Sequence, residues 1–125
     1  MSEPVFSYDE ASDTLYISFT PGEVATGIEL TDHILLRLNK REHRAIGLTL
    51  LDYSLLAQMT EVGPRSFPLT GLDGLSDELR VMVLDILLHP PVRDILLLSA
   101  YTPSFAETIP IVSLQPLSVA ASIPS

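Results

Sequence analysis

At 125 residues the chain has the commonest length of a single domain, and folding at this size removes roughly two-thirds of the unfolded surface from water, enough for a core of its own. That core has to be aliphatic, because hydrophobic residues make up 46% of the sequence while aromatic residues make up 6%, with no Trp. A formal net charge of −9 argues against a nonspecific grip on nucleic acid and against anionic membranes, and the absence of cysteine excludes disulfides, thiolate nucleophiles and thiolate-held metals.

The first eight residues lack the basic start and apolar run of a secretory signal, and no apolar stretch approaches the ~20 residues needed to cross a bilayer, so the expected location is cytoplasmic. From residue 5 to residue 51 apolar side chains recur with period two, which places alternate residues on opposite faces of a strand. Leu15, Ile17 and Phe19 alternate with Tyr16 and Ser18, and Val24, Ile28 and Leu30 with Ala25, Gly27 and Glu29. Ile34, Leu36 and Leu38 then alternate with Leu35, Arg37 and Asn39, and Ile46, Leu48 and Leu50 with Gly47, Thr49 and Leu51. Residues 6–8 supply a shorter fifth run. Turn formers separate the runs at residues 9–13, at 20–23, at Asp32 and over the charged stretch 39–44. Each connection is too short for a crossover helix, so the expectation is an antiparallel β-meander of four to five strands.

Beyond Leu51 the pattern changes. Leu55 to Met59 allows one helical turn, after which Gly63, Pro64, Pro68, Gly71 and Gly74 mark residues 61–74 as a connector. Residues 75–88 predict the best helix: Ser76 is placed to cap it, Asp77 and Glu78 suit the positive end of its dipole, and Leu79, Met82, Val83, Ile86 and Leu87 repeat along one face. His89, Pro90 and Pro91 end it. Pro91 is placed to open a second helix through about Ala100, although residues 95–98 fit a strand equally well. Residues 109–114 read as extended, with Pro110 restricting them to an edge or a strand start. The whole predicts one α+β domain over residues 1–114, its two short helices packed on the sheet face that carries Leu15, Ile17, Ile34, Leu36, Ile46 and Leu48, followed by a C-terminal extended segment and a mobile tail at 115–125.

Few side chains in this sequence gather into recognisable chemistry. Asp9, Glu10 and Asp13 fall around one tight turn next to Tyr8 and Tyr16, an arrangement that can hold a hard cation but is equally what a hairpin turn asks for when carboxylates cap backbone amides. The spacing is not that of an EF-hand, no metal-ligand set is expected, and His33, His43 and His89 form no His-Glu-x-x-His motif. Ser54, Ser66, Ser99 and Ser104 lie outside any nucleophile elbow, and there is no glycine-rich phosphate loop, so no catalytic residue and no cofactor are predicted. Lys40, Arg41, His43 and Arg44 make a basic cluster interrupted by Glu42, which reads as a solvated hairpin tip that discourages edge pairing. The second sheet face mixes Tyr16, Ala25, Gly27, Leu35, Gly47, Thr49 and Leu51. It is flat enough to meet another surface, so Tyr16, Leu35, Gly47 and Leu51 are the candidate interface residues, with the C-terminal segment of the same chain as the alternative cover.

The opening Tyr8-Asp9-Glu10-Ala11-Ser12-Asp13-Thr14-Leu15-Tyr16-Ile17-Ser18-Phe19, together with Glu29, Asp32, Leu36, Leu38, Asn39, Ile46-Gly47-Leu48 and Leu50-Leu51-Asp52-Tyr53-Ser54, resembles the bacterial family called domain of unknown function 2283. The likeness covers about the first 54 residues and brings no catalytic residues with it. Some members of that family are encoded beside small toxin-like proteins, so the resemblance implies an antitoxin-like role with a small basic protein as partner. The expected function is therefore a non-enzymatic interaction module that forms a homo-oligomer and binds neither nucleic acid nor membrane. The alternative is a small enzyme or a ligand- or cation-binding protein using the Asp9, Asp13 and Tyr16 end of the sheet.

Overall fold

The alternating first half forms a five-stranded sheet in the computed structural model, which describes residues 4–60, 63–104 and 107–114. The strands are β1 (Val5–Asp9), β2 (Thr14–Ser18), β3 (Thr26–Thr31), β4 (Ile34–Asn39) and β5 (Arg44–Leu50), and every pairing is antiparallel. Their order across the sheet is β1-β2-β5-β4-β3, which corrects the expected meander. β3, β4 and β5 are consecutive hairpins, and β5 then lies beside β2, a Greek-key arrangement. The link 19–25 does not join neighbours; it runs past the ends of β5 and β4 to the far edge. Three strand spacings amount to about 14 Å and seven extended residues reach about 23 Å, so no helix is needed to make the crossing.

The charged tip between β4 and β5 holds this link in place. Arg44 donates to Thr20 Oγ1 at 3.0 Å and to the carboxylates of Glu23 and Glu42, while Asn39 Nδ2 donates to Glu23 Oε1 at 3.1 Å. The Arg44 hydrogen bond, helped by Asn39, holds the Glu23 carboxyl below its ordinary range. What reads in sequence as a solvated basic tip is thus, at Arg44, a structural fastening.

The second half continues with α1 (Tyr53–Leu56), a small hairpin of β6 (Met59–Thr60) and β7 (Gly63–Pro64), β8 (Ser66–Pro68), a 3-10 turn (Thr70–Gly74), α2 (Asp77–Leu87), a second 3-10 turn (Val92–Asp94), β9 (Leu96–Ser104) and β10 (Glu107–Leu114). α2 starts as its sequence dictates, with Ser76 Oγ accepting the Leu79 amide at 3.2 Å, and it buries Val83, Ile86 and Leu87. The helix expected from Pro91 to Ala100 is instead one 3-10 turn followed by β9. The strand, left open by periodicity at 95–98, is the form adopted, because β10 provides it with a partner along most of its length.

β8, β10 and β9 make a second, three-stranded sheet in that order. Residues 61–74, expected to be a plain connector, supply its edge strand β8. Residues 109–114 were expected at an edge, yet β10 is the central strand. Pro110 is tolerated because its carbonyl accepts the Leu69 amide on the β8 side, so its missing N–H also faces that side, just beyond the register of β8, and the ladder to β9 loses nothing. The expected mobile tail at 115–125 lies outside the described residues.

One buried cluster joins the two halves: Leu15, Ile17, Ile34, Leu36, Leu48 and Leu50 from the first sheet meet Val83, Ile86 and Leu87 of α2 and Val92, Ile95, Leu96, Val112 and Leu114. The sheet face marked by alternation is therefore covered by α2 together with the second sheet. The 3-10 turn at Thr70–Gly74 packs so closely on β3 that a Cβ on Gly71 would overlap the Glu29 carbonyl, and only glycine fits there.

Candidate functional site

At the turn between β1 and β2 two of the three carboxylates, Asp9 and Asp13, are used by the chain itself. Asp9 accepts the Ala11 amide at 3.2 Å and the Ser12 hydroxyl at 2.8 Å, closing the turn. Asp13 sits in the left-handed region (φ 53), which Asp tolerates better than most residues, and its carboxylate accepts the Tyr8 hydroxyl at 2.6 Å, the Ser54 hydroxyl at 3.0 Å and the Ser54 amide at 3.1 Å. The Asp13 carbonyl also takes the Tyr53 amide at 2.8 Å. Tyr8 and Tyr53 complete the cluster edge to face, ring centres 5.9 Å apart.

This clasp ties the first hairpin to the chain that leaves β5. The Tyr8 hydrogen bond, seconded by Ser54, holds the Asp13 carboxyl below its ordinary value against the cost of desolvation. The same bond is the main reason the Tyr8 hydroxyl is raised, while burial raises Tyr53. Glu10 is exposed in the turn, where its carbonyl accepts the Asp13 amide at 3.4 Å. Tyr16 is not part of the clasp: it pairs with Ser7 and Thr49 on the opposite face of the sheet, so Asp9, Asp13 and Tyr16 do not converge. Among the described residues no group of three or more His, Cys, Asp or Glu side chains is gathered as a metal site.

A second contact was invisible in sequence. His33 Nδ1 lies 3.1 Å from Asp52 Oδ2, not beside its neighbour Asp32, and the His33 ring meets Phe67 of β8 edge to face at 6.2 Å. Asp52, Tyr53 and Ser54 thus each reach back into the first sheet, the first to His33 and the other two to Asp13.

On the outer face, Tyr16, Thr49 and Leu35 form one row across β2, β5 and β4, and Ser18, Gly47, Arg37 and Gly27 form the next. Tyr16 is 47% exposed and Leu51, just past β5, is 41% exposed, whereas Leu35 is half-buried. Gly47 is not bare: the Arg37 guanidinium lies over it, 3.4 Å from where a Cβ would stand, and the Ile17 carbonyl crowds it from below. Three of the four interface candidates therefore present apolar surface, and the fourth presents Arg37.

Sequence reasoning also missed a cleft of about 810 Å³ between the β4–β5 tip and the end of α2, lined by Phe19, His43, Ile86, His89, Pro91 and Asp94 among others. Its residues come from segments far apart in the chain, so no local motif marks it. His89 Nδ1 lies 2.7 Å from the Asp85 carbonyl at the helix end, the position the dipole favours for a histidine.

Comparison with known proteins fits this geometry. Residues 6–54 match the family described as Protein of unknown function (DUF2283). The match covers under half of the chain and ends at Ser54, so the DUF2283-like segment consists of the first sheet with its clasp. Tyr8, Asp13, Tyr53 and Ser54, which carry the resemblance in sequence, are the residues that build the clasp. No curated protein and no solved structure matches the chain. Among the described residues no helix is long and apolar enough to cross a membrane.

Proposed function

We propose that the protein is a non-enzymatic interaction module that works as a cytoplasmic homo-oligomer, with the outer face of the DUF2283-like sheet as its binding surface. The observation that supports this is the contrast between the two faces: the inner one is sealed by α2 and the second sheet, while the outer one leaves Tyr16 and Leu51 in solvent beside Leu35. At the β1–β2 turn end of the sheet the hydroxyls of Tyr8 and Ser54 are committed to the Asp13 carboxylate, and the Asp9 carboxylate is committed to the turn. A net charge of −9 favours a small basic protein as the hetero-partner, the antitoxin-like form of this reading.

Light scattering over micromolar concentrations, with a pull-down from the native cell, tests the proposal. The expected mass is at least twice 13.7 kDa, and a Tyr16→Glu/Leu35→Glu variant is expected to recover less bound protein. A strict monomer that retains nothing from the lysate would sink it. The cleft beside His43 and His89 favours a second reading, a small-molecule binder, since its volume lies in the range of ligand pockets. A metabolite panel that leaves the melting temperature unmoved would remove that reading.

A further inference from the structure

The two edges of the first sheet are finished differently. At β3 the 3-10 turn Thr70–Gly74 packs against the strand, with Gly71 on the Glu29 carbonyl. Among the described residues β1 pairs only with β2, and four of its five residues are exposed. Natural sheets blunt an open edge with charge, proline, a bulge or a cover. The sequence of β1, Val-Phe-Ser-Tyr-Asp, has no Lys, Arg or Pro, and its register with β2 runs unbroken from Val5↔Ser18 to Asp9↔Thr14. Its one charge, Asp9, is turned into the hairpin by Ala11 and Ser12.

We propose that β1 of a second copy pairs with this edge, antiparallel about a two-fold axis at Ser7, joining two five-stranded sheets into one of ten strands. The proposal rests on the homo-oligomer reading and assigns it a surface. An isologous contact must be self-complementary, and this one is. Ser7 meets Ser7, and Phe6 meets Tyr8 of the second copy twice, giving two aromatic cross-strand pairs on the side of the sheet that carries Leu15 and Ile17. Val5 meets Asp9, so no like charges stand opposite one another. Whichever alternate residues of β1 direct N–H and C=O outward, this register gives them partners, because both the Ser7–Ser7 and the Phe6–Tyr8 positions are in step. The outer faces then run on across the axis as one surface, with Ser7 and Tyr16 of both copies in a single row.

Ser7 is exposed, so charging it leaves the fold intact while placing like charges opposite each other at the axis. The test measures the mass of wild type, Ser7→Lys, Ser7→Glu and an equimolar mixture of the two variants by light scattering at low salt, with circular dichroism to show that each is folded. The expected result is a dimer for wild type, at least tenfold weaker association for each variant alone, and a dimer again in the mixture, where the opposite charges meet. If wild type is a dimer and both variants remain as tightly paired, the β1 edge is the wrong surface while the homo-oligomer reading stands. If wild type is a monomer throughout, both fall.

Discussion

The two ends of the first sheet solve the same problem with different chemistry. At one end the Asp13 carboxylate is satisfied by uncharged donors, the hydroxyls of Tyr8 and Ser54 and the Ser54 amide; at the other the Glu23 carboxylate is satisfied chiefly by the Arg44 guanidinium, with Asn39 in support. Both fastenings join segments that alternation alone cannot connect, the first tying the hairpin to residue 54 and the second tying the link 19–25 to the β4–β5 tip. The difference teaches that a carboxylate near a turn says nothing by itself about charge pairing: neighbours in space decide whether salt, acid or alkali will loosen it.

The largest effect is expected from the part both ends share. Leu36 is fully buried in β4, between β5 and β3, and Leu36→Ala should cost about 2–5 kcal/mol by chemical denaturation, weakening both ends together. Asp13→Asn keeps a residue that tolerates the left-handed backbone but removes the charge from the clasp, and should lower the melting temperature by a few degrees, about the scale of one lost polar contact in a domain of this size. If Asp13→Asn proved neutral, the clasp would be incidental.

Titration separates the ends more finely. Asp13 and Glu23 both have folded-state carboxyls below their ordinary values, so the stability they contribute is complete above the ordinary carboxylate range and is lost as the pH falls through their depressed values. Acid therefore loosens both ends. Tyr8 is raised, so its contribution is complete below the ordinary tyrosine range and is lost as the pH rises through its raised value. Alkali should loosen the clasp and leave the Glu23 end in place, and Tyr8→Phe should shrink the alkaline loss of stability to the part due to the half-buried Tyr53. The smallest effect is that of salt. The cost of Arg44→Gln in melting temperature should fall as ionic strength is raised, because the pairs with Glu23 and Glu42 are partly exposed, while the cost of Tyr8→Phe should hardly change.

Much of this architecture is legible in the sequence. Period two located all five strands of the first sheet, Ser76 and the apolar repeat located α2, and the turn reading of Asp9 matches its bonds to Ala11 and Ser12. Strand order was not legible, because alternation reports which face a side chain occupies and not which strand lies beside it. β8 was missed since three residues between prolines and glycines have no period of their own, and it exists only because β10 offers an edge. The sequence showed Tyr8, Asp13 and Ser54 as separate signals; their meeting depends on a contact across 41 positions. The outer-face residues were legible as a set, but the Arg37 lid on Gly47 was not, as period two does not say how far a long side chain reaches.

The clasp has one more consequence. By holding Ser54 against Tyr8, it brings the exit of the matched segment back to its entrance, so this stretch closes on itself like a buckled strap. The apolar side it leaves open is covered here by α2 and the three-stranded sheet, to which the family likeness does not extend.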